Sequence, residues 1–221
     1  MKKTILSLNI ILTLLILAGD IAYILTDQLW VKSITSAGFV LIGAINLFYV
    51  IKNKSGNLKF PITLLIGLVF AMLGDILLEI EFIVGAGLFA VGHVFYFSSY
   101  CFLQRFKISN IIASACILIP SILIITLVPI FDFGGVLMQM VCIVYAVVIS
   151  GMLGKAISNF IKEKNTLNLL ILIGSALFFF SDFMLLFNVF ADVSRVFGVL
   201  CLATYYPANI VLGFSLLHYK K

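Results

Sequence analysis

Long apolar stretches follow one another along almost the whole chain, and short segments with charged or turn-forming residues separate them. A helix that crosses a bilayer needs about 20 apolar residues. The stretches approach that length, and they lack the strict alternation of barrel strands. The pattern predicts an all-α, polytopic transmembrane helix bundle of about eight spans. The predicted spans are about 5–25, 31–51, 61–78, 82–103, 110–130, 134–154, 166–188 and 196–217.

Composition excludes an ordinary soluble domain, because 63% of the residues are hydrophobic, 10% are charged and the mean hydropathy is +1.26. We expect a single transmembrane domain over residues 1–221, with any activity inside the bilayer or at its edge. The first residues resemble a signal peptide, since lysines precede an apolar core. The apolar run resumes after Asp20, so we interpret this segment as the first membrane helix.

Basic residues fall mainly at one end of the predicted spans. Lysine and arginine accumulate on the cytoplasmic side of membrane proteins, so both termini are predicted to be cytoplasmic. The net charge of +5 then reflects topology, and no nucleic-acid partner is expected. A short-looped chain rich in Lys, Ile and Asn is typical of a bacterial cytoplasmic membrane. Twelve of the fourteen basic residues share that end: Lys2, Lys3, Lys52, Lys54, Lys59, Arg105, Lys107, Lys155, Lys162, Lys164, Lys220 and Lys221.

Three aspartates lie within predicted spans, namely Asp20, Asp75 and Asp182. An ionised aspartate at the bilayer centre costs about 2.5–3.5 kcal/mol even on insertion scales, so each needs a partner or a role. Each lies about fifteen residues, or about 22 Å, along a span with the same predicted direction. We therefore expect the three to share a depth. Asp20 either pairs with Lys32 across a short loop or assists the other two.

Polar side chains on other predicted spans approach the same depth. In the fourth span, His93, Tyr96 and Tyr100 recur at helical spacing and share one face. The eighth span groups two tyrosines and an asparagine around Pro207, which bends a helix. Taken alone, His93 is more often structural, and Lys32 could extend to lipid headgroups. If the helices are neighbours, the residues expected to contact a ligand are Lys32, His93, Tyr96, Tyr205, Tyr206 and Asn209.

Two carboxyls in one low-dielectric site rarely ionise together, so one is expected to stay protonated. Such a pair supplies an acid and a base at neutral pH, which suits cleavage of a lipid ether bond through a cationic intermediate. We expect no cofactor and no metal, although a zinc site of two aspartates and one histidine stays open. The alternative is a transporter or lipid-binding protein that uses the acids as a proton relay.

Four short motifs, in this order and spacing, resemble the lysoplasmalogenase family, also called YhhN-like, of eight-span membrane proteins. The motifs are Gly74-Asp75, His93 with Tyr96, Ser181-Asp182, and Tyr205-Tyr206 with Ala208 and Asn209. The resemblance extends from the second span onward. Asn209 stands where the family usually has glutamine, and Ser33 follows Lys32 where the family has proline.

The resemblance implies hydrolysis of the vinyl-ether bond of lysoplasmalogens to a fatty aldehyde and glycerophosphoethanolamine or glycerophosphocholine. It implies that Asp75 and Asp182 are catalytic and that the partners are a lysophospholipid within the bilayer and the membrane lipids. We expect Asp75 to be the acid, because its sequence neighbours are the more apolar, and Asp182 to direct water. Lys32 would meet the phosphate, and the other polar residues would orient water and the glycerol hydroxyl.

Overall fold

The computed structural model describes residues 2–53 and 56–219, and this part of the chain forms eight α-helices. All eight are long and apolar enough to cross a bilayer. The predicted all-α polytopic bundle is thus confirmed, and the chain is an integral membrane protein. The helices are α1 Lys2–Thr26, α2 Leu29–Lys52, α3 Lys59–Leu78, α4 Phe82–Leu103, α5 Ile108–Leu127, α6 Val136–Lys162, α7 Thr166–Phe190 and α8 Val196–Ser215, with a 3₁₀-helix at Leu216–His218.

The α6 helix is longer than predicted, since the span expected at 134–154 occupies Val136–Lys162. The prediction ended before Lys155 because an interior lysine is costly at membrane depth. In the structure the Lys155 side chain is buried, and its Nζ donates to the carbonyl oxygens of Gln104 at 2.8 Å and Arg105 at 3.4 Å. These two acceptors satisfy the ammonium, so the helix continues past it.

Because successive helices reverse direction, the basic segments at the start of α1 and at the connections α2–α3, α4–α5 and α6–α7 lie at one end of the bundle. Lys54, Lys220 and Lys221 belong to the predicted basic set but lie outside the described residues. Eight crossings place the two ends of the described chain on the same side. Their cytoplasmic location stays a prediction.

The α3 and α4 helices pack together more extensively than any other pair, followed by α7 and α8. Glycines allow the close approach: a Cβ on Gly85 would lie 2.4 Å from the Leu78 backbone, and one on Gly67 would lie 2.6 Å from the Tyr96 ring. Small residues at such crossings let membrane helices approach closely. The contact holds the C-terminal end of α3, which carries Asp75, against α4.

Replacing Gly85 with alanine is expected to separate α3 from α4 and to lower the free energy of unfolding by about 1–3 kcal/mol, the usual effect of overpacking. Thermal unfolding of the purified protein in detergent measures the change. Gly87→Ala is the matched control, because nothing lies within 4 Å of a Cβ at that position. The control should unfold at the same temperature as the parent or slightly above it, since alanine favours a helix. Equal losses in both variants would contradict this account of the packing.

Candidate functional site

A cavity of about 270 Å³ lies among α1, α2, α3, α7 and α8, and we call it the polar cavity. Asp75 and Asp182, on helices separated by three others in sequence, both lie on its wall. The structure therefore brings the two predicted catalytic aspartates to one site. The polar residues on the wall are Tyr23, Asp27, Lys32, Asp75, Glu79, Ser181, Asp182, Asn188, Arg195 and Tyr205.

Asp75 is buried and has three partners among the described residues. Its Oδ1 lies 3.2 Å from Lys32 Nζ. Its Oδ2 accepts hydrogen bonds from Ser36 Oγ at 2.5 Å and from the Tyr206 hydroxyl at 3.2 Å. Lys32 Nζ also donates to Glu79 Oε1 at 2.5 Å. One ammonium and two hydroxyl donors thus stabilise Asp75 as a carboxylate, because charge-assisted hydrogen bonds are the strong ones.

Lys32 is 3% exposed, so it does not extend to the lipid headgroups. Its ion pairs are with Asp75 and Glu79, and in residues 2–53 and 56–219 it forms none with Asp20. The alternative of an Asp20–Lys32 pair is therefore not found. Asp20 is buried behind the wall, its Oδ1 lacks a hydrogen-bond partner among the described residues, and Asp75 and Lys32 act on it electrostatically.

Glu79 directly follows the last residue of α3 and belongs to the same cluster through its contacts with Lys32 and Tyr23. Burial alone would raise the pKa of this carboxyl, but the Lys32 ammonium and hydrogen bonds from Lys32 and Tyr23 outweigh burial and hold the pKa below its usual value. A lowered folded-state pKa means that the carboxylate stabilises the fold at neutral pH. That contribution is lost as the pH falls through the lowered pKa.

Asp182 has a separate set of partners. The Tyr145 hydroxyl donates to its Oδ2 at 2.6 Å, and His93 Nε2 lies 3.1 Å from the same oxygen and 2.9 Å from the Tyr145 hydroxyl. The His93 ring is fully buried, with the edge-on Phe178 ring at a centroid distance of 4.6 Å. In the described part of the chain, no hydrogen bond joins Asp182 to Asp75. The two carboxyls share a cavity and keep different partners.

An apolar groove bounded by α3, α4, α5, α6 and α7 meets the polar cavity at Asp182. Leu78, Phe89, Asp182 and Leu185 belong to both walls. The site is therefore apolar on one side of Asp182 and polar on the other. The groove is lined by Leu78, Phe82, Ala86, Phe89, Ser121, Ile125, Val141, Cys142, Tyr145, Ala146, Ile149, Phe179, Asp182, Phe183, Leu185, Leu186 and Phe190.

The other residues predicted to contact a ligand divide into two groups. Lys32 and Tyr205 lie on the cavity wall, and the Tyr205 hydroxyl also donates to the Ala71 carbonyl oxygen at 2.9 Å. Tyr96 and Asn209 are fully buried behind the wall, where the Tyr96 hydroxyl donates to Asn209 Oδ1 at 3.0 Å. That hydrogen bond joins α4 to α8, so these two side chains contact each other. The predicted contacts at His93 and Tyr206 are likewise behind the wall, each beside an aspartate.

Sequence reasoning missed three residues of these clusters. Ser36 follows Lys32 by four residues and Glu79 follows Asp75 by four, so each shares a helix face with a residue that was already a candidate. That spacing could have identified both. Tyr145 is an isolated polar aromatic residue in the middle of α6. Its lone hydroxyl at membrane depth was the available signal.

A family model, described as the YhhN family, matches residues 29–216, which span α2 to α8. The chain belongs to the YhhN family. The match includes both aspartates and all their hydrogen-bond partners, whereas Asp20 and Tyr23 on α1 precede it. No curated protein and no solved structure matches this YhhN-family chain.

The YhhN-family site combines the buried carboxyl of Asp75 and the partly buried carboxyl of Asp182 with a boundary between polar and apolar walls. Within residues 2–53 and 56–219, no three His, Cys, Asp or Glu side chains lie close enough together to hold a metal ion. The carboxyl and hydroxyl groups that touch the cavity can donate or accept protons. An amphipathic molecule placed across the boundary would present its central bonds to Asp182.

Proposed function

We propose that this protein hydrolyses the vinyl-ether bond of a lysoplasmalogen to a fatty aldehyde and glycerophosphoethanolamine or glycerophosphocholine. The observation that supports the proposal most is the meeting of the polar cavity and the apolar groove at Asp182. A lysolipid has one hydrocarbon chain and one headgroup, which match the groove and the cavity respectively. The vinyl ether joins those two parts, so it lies beside the aspartate.

In this proposal Asp182 is the proton donor. The β-carbon of a vinyl ether belongs to the hydrocarbon chain, so it lies on the groove side of Asp182, which lines both the apolar groove and the polar cavity. The proton of the Asp182 carboxyl transfers to that carbon, the double-bond electron pair forms the new C–H bond, and an oxocarbenium ion results. Tyr145 and His93 donate to the carboxylate that is left. The sequence suggested the opposite assignment, because the sequence neighbours of Asp75 are the more apolar. The ion pair of Asp75 with Lys32 favours its carboxylate form instead.

Asp75 acts as the carboxylate on the polar side. Its negative charge stabilises the oxocarbenium ion and accepts a proton from the water that adds to the α-carbon. The hemiacetal then moves its hydroxyl proton to the glycerol oxygen as the carbon–oxygen bond breaks, which releases the aldehyde. The proton held by Asp75 returns to Asp182, so the site is restored and no proton is consumed.

Arg195 is the better candidate for the phosphate contact that the sequence assigned to Lys32. Two carboxylates already neutralise Lys32. Arg195 lies on the cavity wall and is exposed. Among the described residues, its guanidinium forms one hydrogen bond, from Nη2 to the Ile24 carbonyl oxygen at 2.8 Å. A guanidinium has five N–H donors and suits bidentate binding of phosphate.

The direct test is to reconstitute the purified protein in vesicles, supply lysoplasmalogen and measure aldehyde after trapping it by borohydride reduction. In D₂O the trapped product should carry one deuterium at carbon 2, since the β-carbon receives the catalytic proton. Matched lipids with an acyl ester or a saturated alkyl ether should release nothing, because neither has a protonatable vinyl ether. Lipid binding without aldehyde release would favour the transporter or lipid-binding alternative and reject the enzyme.

Filling the apolar groove is expected to impair binding of the hydrocarbon chain. Ala86 lines the groove, and Ala86→Trp should raise KM for a long-chain lysoplasmalogen by about tenfold or more, because one methylene in a pocket already changes discrimination by about 10-fold. A short-chain substrate should be affected less. Val91→Trp, on the exposed surface of the same helix, is the control and should leave KM unchanged. An equal effect on both chain lengths would argue against the groove as the chain site.

A further inference from the structure

A second basic site lies away from the polar cavity, in a groove of about 570 Å³ between α5 and α6. We call it the basic groove. Its charged lining residues are Arg105, Lys107, Lys155 and Lys162, and none of its described lining residues is Asp or Glu. It lies at the end of the bundle where the basic segments collect. The groove therefore concentrates positive charge at one place on the membrane-facing surface.

The four cations are not neutralised by the protein. In residues 2–53 and 56–219, none of them forms an ion pair with a carboxylate. Glu163 follows Lys162 in sequence, but it accepts a hydrogen bond from Gln104 and is not on the groove wall. Like charges in one groove repel each other, so an anion bound among them would lower the electrostatic energy.

Burial separates Lys155 from the other three. Its side chain is 1% exposed and its Nζ is fixed by carbonyl oxygens of the α4–α5 connection. Arg105, Lys107 and Lys162 are exposed and can turn toward a ligand. The groove thus has one fixed positive charge in its floor and three adjustable ones at its rim.

The rest of the groove wall is mainly apolar. Ile112, Cys116 and Ile117 come from α5, and Ile157 and Ile161 come from α6. Ile112 is 61% exposed and Ile161 is 68% exposed, so this wall opens toward the surrounding bilayer. A ligand that matches the groove has a negative headgroup and a hydrocarbon chain.

We propose that the basic groove binds an anionic phospholipid of the bilayer. The phosphate lies among Arg105, Lys107, Lys155 and Lys162, and one acyl chain follows the apolar wall between α5 and α6. Basic pockets between membrane helices are the usual sites for anionic lipid headgroups. The proposal does not depend on the enzymatic one, because the basic groove shares no residue with the polar cavity or the apolar groove.

The test is a native mass spectrometry titration of the full-length protein in detergent with phosphatidylglycerol, and with phosphatidylcholine of identical chains. Phosphatidylglycerol is expected to bind at least about tenfold more tightly, since four basic residues surround one groove and a basic pocket binds an anionic headgroup. The variant Arg105→Gln/Lys107→Gln/Lys162→Gln should lose most of that preference. Lys2→Gln/Lys3→Gln/Lys164→Gln removes equal charge from exposed positions outside the groove and should bind as the parent does.

Location is tested by thiol labelling. Cys116 is exposed and lines the basic groove, whereas Cys142 lines the apolar groove. Bound phosphatidylglycerol should slow maleimide labelling of Cys116 and leave Cys142 unchanged. Thermal unfolding verifies that the triple variants remain folded. The proposal would be overturned by an equal loss of binding in both triple variants. It would also be overturned if excess inorganic phosphate displaced the lipid, because the site would then recognise free phosphate.

Discussion

Replacing Asp182 with asparagine is expected to lower kcat for lysoplasmalogen by about 10²–10⁴-fold, the usual contribution of a positioned acid. An amide has the same shape as the carboxyl but cannot deliver a proton to carbon. Asp75→Asn is expected to reduce kcat to a similar extent, because a neutral amide neither stabilises the oxocarbenium ion nor accepts the water proton. Aldehyde release from reconstituted vesicles measures both effects.

Asp192→Asn is the matched control for these variants. It makes the same chemical change at an exposed aspartate that is not on the wall of the polar cavity, so activity should not change. Circular dichroism and thermal unfolding establish that each variant is folded. Turnover that persists in both Asp75→Asn and Asp182→Asn would end the proposed mechanism.

Replacing Lys32 with methionine is expected to lower the free energy of unfolding by about 3–5 kcal/mol, because removal of one partner leaves a buried charge without compensation. Asp75 would lose the only cation that contacts it in the described residues, and Glu79 would lose its strongest partner. Thermal unfolding in detergent measures the change. The double variant Lys32→Met/Asp75→Asn should recover much of the loss, since it removes the buried charge together with its partner.

Lys164→Met provides the control, because Lys164 is exposed and its replacement should leave the unfolding temperature unchanged. The double variant also separates stability from activity. It should fold as well as the parent or nearly so, yet release aldehyde as slowly as Asp75→Asn does, because the Asp75 carboxylate is gone. If Lys32→Met alone were as stable as the parent, the ion pair would contribute nothing to the free energy of unfolding. Lys32 would then not be the group that stabilises the buried Asp75 carboxylate.

The helices were predictable because long apolar runs leave few alternatives in a bilayer, where every backbone polar group must be satisfied internally. The exception is α6, whose end depended on Lys155. A buried lysine is stable there only because the ends of other elements supply carbonyl oxygens. Those acceptors come from the α4–α5 connection, about 50 residues earlier in the chain. No local pattern in the sequence contains that information.

The two aspartates of the candidate site could be predicted from the sequence, but most of the side chains that contact them could not. Ionisable groups at membrane depth are conspicuous in a sequence, so Asp75 and Asp182 could be chosen. Helical spacing shows which residues share a face, but it does not show which helix that face meets. Tyr96 and Asn209 were therefore expected to contact the ligand, and in the structure they form a hydrogen bond with each other. Tyr145 on α6, a helix from which no candidate residue was predicted, donates a hydrogen bond to Asp182.

The α1 helix contributes to the cavity wall while burying little of itself, since its buried residues are Asn9, Ile16, Asp20 and Tyr23. Among the described residues, its side-chain hydrogen bonds to the rest of the bundle are Asn9–Asn46, Tyr23–Glu79 and the contact of Arg195 with the Ile24 carbonyl oxygen. Weakening those few attachments would let α1 move outward while the tightly packed α3–α4 and α7–α8 pairs stay assembled. If a lipid enters past α1 as the proposed function requires, its entry and the resistance of the protein to unfolding depend on different contacts.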